Sequence, residues 1–104
     1  MPTLPSDSLA VLIMVFYVYI LKCNDNSFYT GHTEDLEKRM CEHNSRKYDG
    51  YTSTRLPVVL VYSEAFGTRY EALEAEHKIK TWGKRKKNAL VSNGWQGIIN
   101  LRKK

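Results

Sequence analysis

Five side chains of the sequence have chemistry beyond packing, and helical periodicity places several of them where a core residue is expected. They are Tyr19, Tyr29, Arg39, His43 and Glu76. A carboxylate that faces a core is costly unless it is paired with a cation or binds a metal ion. The competing interpretations are ordinary: tyrosines that pack on a sheet, and ionisable side chains that reach water from the edge of the core.

The two tyrosines belong to residues 16–33, whose composition predicts a β-hairpin. Aromatic and β-branched residues flank the polar turn Asn24–Ser27. Directly paired residues share a sheet face, so an odd number of loop residues places Tyr19 and Tyr29 on one face, and an even number on opposite faces. A three-residue Asn-Asp-Asn loop with Asn26 at positive φ gives the first arrangement, and a two-residue Asp-Asn turn gives the second.

A helix is predicted over residues 34–45, because Thr33 supplies an N-cap and two acidic residues follow it. Two apolar residues spaced four apart mark its inward stripe. The remaining positions of that stripe are Arg39 and His43, so two ionisable groups lie along the inward edge of this helix.

A second helix is predicted to begin with the capping box Thr68–Glu71. Its inward stripe consists of two alanines, a glutamate and an isoleucine: Ala72, Ala75, Glu76 and Ile79. The small alanines allow a close approach to the sheet. Glu76 therefore either binds a metal ion or is paired with a buried arginine such as Arg39.

The remaining segments predict one more strand and one more helix. The continuous apolar run Val58–Tyr62 is typical of a strand covered on both faces, at or near the centre of a sheet. Residues 44–56 are polar and predict a long loop. A short basic helix is predicted over residues 84–91, ended by Asn93 and Gly94.

With 104 residues the chain is large enough for one modest core. We expect a disordered leader at 1–14, a folded domain at 15–92 and a basic C-terminal tail at 93–104. The apolar segment 9–21 is too short to cross a bilayer and no signal peptide precedes it, so we expect a cytoplasmic protein with reduced cysteines and no membrane partner.

The net charge of +5 is unevenly distributed along the chain. Residues 1–76 contain 11 acidic and 7 basic side chains, whereas residues 77–104 contain 9 basic and no acidic ones. This polarity suits a polyanionic partner, although a solvated basic tail is the plain alternative. The cationic residues expected to bind nucleic acid are Arg46, Lys47, Arg55, Lys80, Lys84, Arg85, Lys86 and Lys87.

The sequence resembles the GIY-YIG nuclease family in the order and spacing of six residues that precede the basic helix. They are Tyr19, Tyr29, Gly31, Arg39, His43 and Glu76. The first half of the family motif corresponds to Tyr17-Val18-Tyr19 and the second to Tyr29-Thr30-Gly31, where Gly31 is expected to be structural. The closest likeness is to a small, stand-alone, single-domain bacterial branch, and it covers roughly residues 15–92. The pattern shared with that branch also includes Tyr51 and Thr52.

The sequence departs from the family pattern at four positions. Tyr17 stands where the family name expects glycine, Thr30 where it expects isoleucine, and His43 where some members have tyrosine. His32 stands where many of the family's nucleases have a lysine, a cation that can ease the deprotonation of a tyrosine.

The resemblance implies an α/β fold of the α+β type. A small central antiparallel three-stranded sheet, built from the hairpin and the Val58–Tyr62 strand, would be flanked by about three helices. It also implies that Tyr19 and Tyr29 share one sheet face, on which Arg39, His43 and Glu76 converge.

The activity implied is that of a metal-dependent endonuclease that hydrolyses DNA phosphodiester bonds, structure-specific and related to repair or recombination. Glu76 would hold Mg²⁺ or Mn²⁺ and Arg39 would contact the phosphate. Tyr19 would be the general base and Tyr29 its positioning partner. A protonated His43 would help to stabilise the phenolate, or His43 would itself serve as the base. RNA remains open as a substrate, and no small-molecule cofactor is expected.

Two other functions compete with this interpretation. A nucleic-acid-binding module that keeps the fold but has lost catalysis would bind through the basic C-terminal quarter and would show salt-dependent binding without cleavage. A protein-interaction domain would use Trp95 and the apolar leader, and would not bind DNA at physiological salt.

Overall fold

The structure, a computed structural model, describes residues 14–45 and 50–102 of the chain. In chain order the elements are β1 (Phe16–Lys22), β2 (Phe28–Thr33), α1 (Leu36–Asn44), a 3₁₀ helix (Tyr51–Thr54), β3 (Val59–Phe66), α2 (Arg69–Lys80) and α3 (Lys84–Arg102). The strands form one antiparallel sheet in the order β2-β1-β3. The predicted α+β fold, a three-stranded antiparallel sheet with three helices, is confirmed.

The hairpin has the predicted three-residue loop. The Cys23 N–H donates to the Ser27 carbonyl at 2.8 Å, and the Asn26 N–H donates to the Cys23 carbonyl at 2.9 Å. Asn26 has φ of 69°, the left-handed conformation that asparagine tolerates well. Beyond the loop, Leu21 pairs with Tyr29, so the odd loop length fixes which side chains share a face.

The central strand is β1. The run Val58–Tyr62, expected to be covered on both faces and to lie at or near the centre of the sheet, belongs instead, from Val59 onwards, to a partly exposed edge strand beside it. Among the described residues, strand β3 pairs with β1 alone and forms an edge, with Val59 58% and Leu60 38% exposed. Val58, which precedes the strand, is the buried residue of that run. The apolar run was continuous, but a strand's position in a sheet depends on pairing with distant segments, which local composition does not encode.

Helix α1 begins two residues later than predicted. Its N-cap is Asp35, whose side chain accepts a hydrogen bond from the Lys38 N–H at 3.1 Å. Thr33 is the last residue of β2 and pairs with Tyr17. The ladder pairing keeps Thr33 extended, and the helix can start only after the sheet ends.

Helix α2 begins at the predicted capping box. Thr68 is its N-cap and its side chain accepts a hydrogen bond from the Glu71 N–H at 3.2 Å. Three residues of the predicted inward stripe are buried: Ala72, Glu76 and Ile79. The periodicity therefore identified the face of the helix that contacts the sheet.

Helix α3 is longer than the predicted segment 84–91. The backbone breaks at Gly94, with φ of 62° and ψ of −151°, and helical structure then continues to Arg102. Ile98, in the region expected to be a basic tail, is buried in the core. Within residues 14–45 and 50–102, no helix combines the length and apolar character needed to cross a membrane.

The alternation of β1 divides the core into two layers. Val18 and Ile20 pack with side chains of α2 and α3, including Ile79. On the opposite face, Tyr19 and Leu21 pack with side chains of α1 and with Val58, Cys23 and Tyr29. The two sides of the sheet are thus chemically different, and the polar aromatic groups lie on the α1 side.

Candidate active site

Tyr19 and Tyr29 lie on the same face of the sheet, as predicted. Tyr19 pairs with Gly31 and Leu21 pairs with Tyr29, so both rings project to the α1 side. Their ring centroids are 6.3 Å apart, and the ring planes are inclined at 42°. The two halves of the tyrosine motif therefore meet through their side chains.

Gly31 makes room for the Tyr19 ring. A Cβ atom added to Gly31 would lie 2.6 Å from Tyr19 Oη, 2.8 Å from Tyr19 Cζ and 3.1 Å from Tyr29 Cε2. Distances below 3.0 Å between non-bonded heavy atoms of this kind require one group to move. Any larger residue at position 31 would displace the phenol from the sheet surface.

His43 links Tyr19 to the 3₁₀ helix through a buried hydrogen-bond chain. Its Nε2 lies 3.1 Å from Tyr19 Oη, and its Nδ1 lies 2.7 Å from Thr52 Oγ1. Tyr19, His43 and Thr52 are all 0% exposed. A neutral imidazole donates at one nitrogen and accepts at the other, which matches two hydroxyl partners that can each do either.

Burial lowers the pKa of His43, and the positive charge of Arg39 lowers it further, while Glu42 acts in the opposite direction. The environment therefore favours the neutral imidazole. The expectation that a protonated His43 would stabilise a phenolate stays a prediction that this environment disfavours, because the same burial that positions the ring penalises its charged form. His43 is available instead as a neutral hydrogen-bonding partner.

Tyr29 is the more accessible of the two tyrosines. Its side chain is partly buried, whereas Tyr19 is fully buried. The Tyr29 ring meets the His43 ring edge-on, with centroids 5.4 Å apart, and stacks on Tyr51, with centroids 6.2 Å apart and planes at 23°. Tyr51 is itself 41% exposed, so this stack runs from the buried cluster to the surface.

Arg55 covers Tyr51 and ties it to the hairpin. Its guanidinium carbon lies 3.8 Å from the centroid of the Tyr51 ring, close enough for a cation–π interaction. Its Nε donates to Asp25 Oδ2 at 3.0 Å. The sequence analysis assigned no role to Tyr51 or Thr52. Their presence in the pattern shared with the bacterial branch was the feature of the sequence that could have drawn attention to them.

Arg39 reaches the edge strand β2 from the tyrosine side. Its Nε donates to Glu42 Oε1 at 3.2 Å, and its Nη1 lies 3.5 Å from the His32 carbonyl, the long limit for a hydrogen bond. About a quarter of its side chain is exposed, at 26%. The guanidinium is therefore held near the backbone of β2.

Glu76 lies on the other side of the sheet, which corrects the prediction that all five residues converge on one face. Its Oε1 is 2.6 Å from His32 Nδ1, and its Oε2 is 2.9 Å from Lys80 Nζ. His32 neighbours Gly31 on β2, so alternation turns its side chain away from the tyrosine face. Pairing of Glu76 with a buried arginine such as Arg39 was one of two alternatives, and a cation that lies beside the carboxylate is Lys80.

His32 connects the two sides of the sheet. Its carbonyl faces Arg39 and its ring contacts Glu76, at the edge strand where both sides of the sheet are accessible. In the sequence, His32 was notable only because many nucleases of the family have a lysine at that position. Its contact with Glu76 joins residues 44 positions apart and has no local signature.

The Glu76 carboxylate fits a divalent cation on chemical grounds. It is 8% exposed as a side chain, and its oxygens already attract two groups that carry or can carry positive charge. Lys80 is 50% exposed and can withdraw into solvent when another cation arrives. No group of three or more His, Cys, Asp or Glu suited to a metal occurs in the part of the chain that the structure describes, so water would complete the coordination shell.

The basic residues expected to bind nucleic acid divide among several positions. Lys84 and Lys87 line a cavity of about 220 Å³ beside the hairpin loop. Burial lowers the pKa of Lys87, with the charge of Lys80 adding to the effect. Lys86 lies over the Trp82 ring with its Nζ 4.4 Å from the ring centroid.

For three other basic residues expected to bind nucleic acid, the structure does not indicate a role. Arg85 is exposed on the first turns of α3. Arg46 and Lys47 lie outside the described residues, as do residues 1–13 of the expected leader and the last two lysines of the chain.

Comparison with known proteins identifies the family to which this geometry corresponds. The model of the GIY-YIG catalytic domain matches residues 15–88. The UPF0213 protein SSP2268 of Staphylococcus saprophyticus is 50% identical over 78 residues, which cover 75% of this chain and 95% of that protein. The UPF0213 protein HQ_3675A of Haloquadratum walsbyi is 49% identical over 78 residues, covering 75% of this chain and 88% of that protein. The solution NMR structure of the UPF0213 protein BH0048 from Bacillus halodurans, 41% identical, superimposes with a TM-score of 0.51 over 82% of this chain and 94% of that one.

Proposed function

The chain belongs to the family of the GIY-YIG catalytic domain, and on this premise we propose that it is a metal-dependent endonuclease that hydrolyses phosphodiester bonds in DNA. The observation that carries the proposal is the buried cluster of Tyr19, His43 and Thr52 beside the accessible Tyr29. Polar side chains are seldom fully buried in a small core, and a buried cluster of three that hydrogen-bond one another is typical of a site that positions a reactive group, here Tyr29.

Tyr29 is assigned as the general base, in place of Tyr19. A fully buried hydroxyl bonded to His43 does not contact water, whereas the Tyr29 ring extends towards the surface. The Tyr29 phenolate takes a proton from water, the hydroxide attacks phosphorus, and the bond from phosphorus to the leaving sugar oxygen breaks. The leaving oxygen takes a proton from solvent water, and Tyr29 returns its proton to solvent. Tyr19 and His43 fix the position of the Tyr29 ring through their aromatic contacts.

This role requires a phenol that ionises near neutral pH. A phenol of ordinary pKa about 10 needs roughly 4 kcal/mol of differential stabilisation to reach a pKa of about 7. Arg39 is a fixed cation near the same cluster, close enough to affect His43, and its planar fork of donors suits the substrate phosphate.

Glu76 is proposed to hold Mg²⁺ or Mn²⁺, with the remaining coordination positions filled by water. The bound ion would supply charge that stabilises the leaving oxygen of a phosphodiester lying across the β2 edge, where the His32 ring contacts Glu76 and the His32 carbonyl faces Arg39. In the structure the carboxylate is bonded to Lys80 and His32, so binding of the ion requires Lys80 to withdraw.

The test is cleavage by the purified chain with Mg²⁺ or Mn²⁺ on single-stranded, nicked, flap and branched DNA, with RNA in a parallel series. Tyr29→Phe should lower the rate by about 10²–10⁴-fold, the usual contribution of a general base. Tyr70→Phe, a change of the same type at a residue that is 72% exposed, should leave the rate as it is.

Glu76→Ala should abolish the metal-dependent rate, whereas Glu74→Ala, at an exposed position of the same helix, should not. Cleavage that survives Glu76→Ala undiminished would show that the metal is not held at this carboxylate. A substrate preference among the branched forms would support a role in repair or recombination. The two cysteines of the described region are free thiols, which is consistent with the proposed cytoplasmic location.

One observation favours a second candidate, a nucleic-acid-binding module without catalysis. Both oxygens of Glu76 already have partners, so the carboxylate is satisfied without a metal ion. Such a module would bind DNA with a steep salt dependence and would release no cleavage product under any of the metal conditions above.

A further inference from the structure

The contact between His32 and Glu76 places a nitrogen donor beside the carboxylate that is proposed to hold the metal. His32 Nδ1 and Glu76 Oε1 are 2.6 Å apart. Two neighbouring ligands of one octahedral ion, each about 2.1 Å from it, are about 3 Å apart. The observed pair therefore needs to open by only a few tenths of an ångström to hold an ion between its two atoms.

We propose that His32 is a second protein ligand of this site, and that its imidazole makes the site favour transition-metal ions that accept nitrogen over Mg²⁺. The inference rests on the proposed function only in taking Glu76 as a metal ligand. Carboxylate and water suit Mg²⁺, whereas imidazole suits ions such as Fe²⁺, Co²⁺, Ni²⁺ and Zn²⁺. A site with one carboxylate and one imidazole thus selects differently from a site with a carboxylate alone.

Burial around the pair leaves a route for an ion to enter. The Glu76 side chain is 8% exposed, while His32 is 29% and Lys80 50% exposed. The imidazole and the ammonium that contact the carboxylate are thus both more exposed to solvent than the carboxylate, so we infer that an ion approaches past them. An ion that enters there displaces the ammonium from Oε2 and meets Nδ1 and Oε1 together.

Binding of a metal ion to a neutral His32 imidazole leaves the number of protons on the ring unchanged. The ring has one N–H, and metal binding at Nδ1 requires that this proton be carried by Nε2. Solvent water takes the proton from Nδ1 and supplies one to Nε2, so the step releases no net proton. Lys80 remains charged and moves into solvent.

Metal binding is measured directly, apart from DNA cleavage. The full chain is titrated with Co²⁺, followed by its visible absorption, and Mg²⁺ affinity is obtained by competition. His32→Gln should lower Co²⁺ affinity by at least about tenfold, because even changes outside the coordination shell cost 10–100-fold. Its Mg²⁺ affinity should stay within about threefold, since glutamine keeps a hydrogen-bonding group beside Glu76.

Two further variants separate ligation from charge. His77→Ala removes an exposed histidine adjacent to Glu76 in sequence and should leave the ratio of Co²⁺ to Mg²⁺ affinity unchanged. Lys80→Met removes the competing ammonium and should raise both affinities by a similar factor. The ring nitrogen shifts of His32, recorded with Zn²⁺, should identify Nδ1 as the ligating atom.

Several outcomes would overturn the inference. One is a ratio of Co²⁺ to Mg²⁺ affinity that is the same in His32→Gln as in the native chain, and another is an equal fall in both affinities. Co²⁺ binding that Glu76→Ala leaves intact would place the ion elsewhere and would also overturn it. Binding that depends on both residues, in a chain that cleaves no DNA, would support the metal site and reject the proposed nuclease.

Discussion

The Gly31→Ala substitution should destabilise the protein through the Tyr19 ring. The added methyl group would lie 2.6 Å from Tyr19 Oη and 2.8 Å from Cζ, well inside ordinary contact distances of about 3.5–4.0 Å. Tyr19 is fully buried and its hydroxyl bonds to His43, so the ring cannot move away without breaking that bond.

The expected cost follows from these two effects. Inserting a methyl group into a packed site costs about 1–3 kcal/mol, and losing one neutral hydrogen bond adds about 1 kcal/mol. Gly31→Ala should therefore lower the free energy of unfolding by about 2–4 kcal/mol, seen in urea as a lower midpoint with an unchanged slope. Gly67→Ala is the matched control, because a Cβ there would have no heavy atom of the described residues within 4 Å apart from its chain neighbours, and its effect should be much smaller.

A double-mutant cycle tests whether the hydroxyl is the source of the clash. In a Tyr19→Phe background the 2.6 Å contact is absent, so Gly31→Ala should cost about 1 kcal/mol less than in the native chain. The reasoning is refuted if Gly31→Ala is within about 0.5 kcal/mol of native stability, or if its cost is the same with and without the Tyr19 hydroxyl.

Two further predictions concern pH and salt. Because the pKa of His43 is lowered in the folded state, the unfolded state binds the proton first, and stability should decline as the pH falls below about 6.5. His43→Gln should remove that part of the decline in urea unfolding measured between pH 7 and pH 5, and an unaltered slope would contradict the assignment. Replacing Lys84 and Lys87 together by alanine should make the plot of log affinity against log salt shallower by about 2 for duplex DNA, whereas an unchanged slope would show that neither lysine contacts phosphate.

Features set by local sequence were predictable. The composition of residues 16–33 predicted the hairpin but left its loop at two or three residues. The family resemblance implied that Tyr19 and Tyr29 share one face, and a three-residue loop with Asn26 at positive φ places them there. The 3.6-residue period of α2 correctly placed Glu76 on the buried stripe, because that stripe is a property of the helix alone.

Features set by pairing between distant segments were not predictable. The run that becomes β3 has the composition of a central strand, but β1 occupies the centre because it is the strand with a partner on each side. The side of the sheet on which Glu76 lies depends on how α2 packs after β3, and not on the pattern within α2. For the same reason the contact of His32 with Glu76, and the greater burial of Tyr19 than of Tyr29, had no signal in the sequence.

In the proposed mechanism, the positive charge that favours a Tyr29 phenolate would come from Arg39 and not from a histidine. Burial and the charge of Arg39 lower the pKa of His43, and His32 is turned towards Glu76 on the other side of the sheet. The charge of Arg39 that disfavours an imidazolium at His43 must favour an anion at the same place, since one field acts on both. The Tyr29 ring lies 5.4 Å from the His43 ring, within reach of that field. A guanidinium does not titrate in proteins, so the stabilisation that it supplies persists across the pH range in which histidine changes its charge.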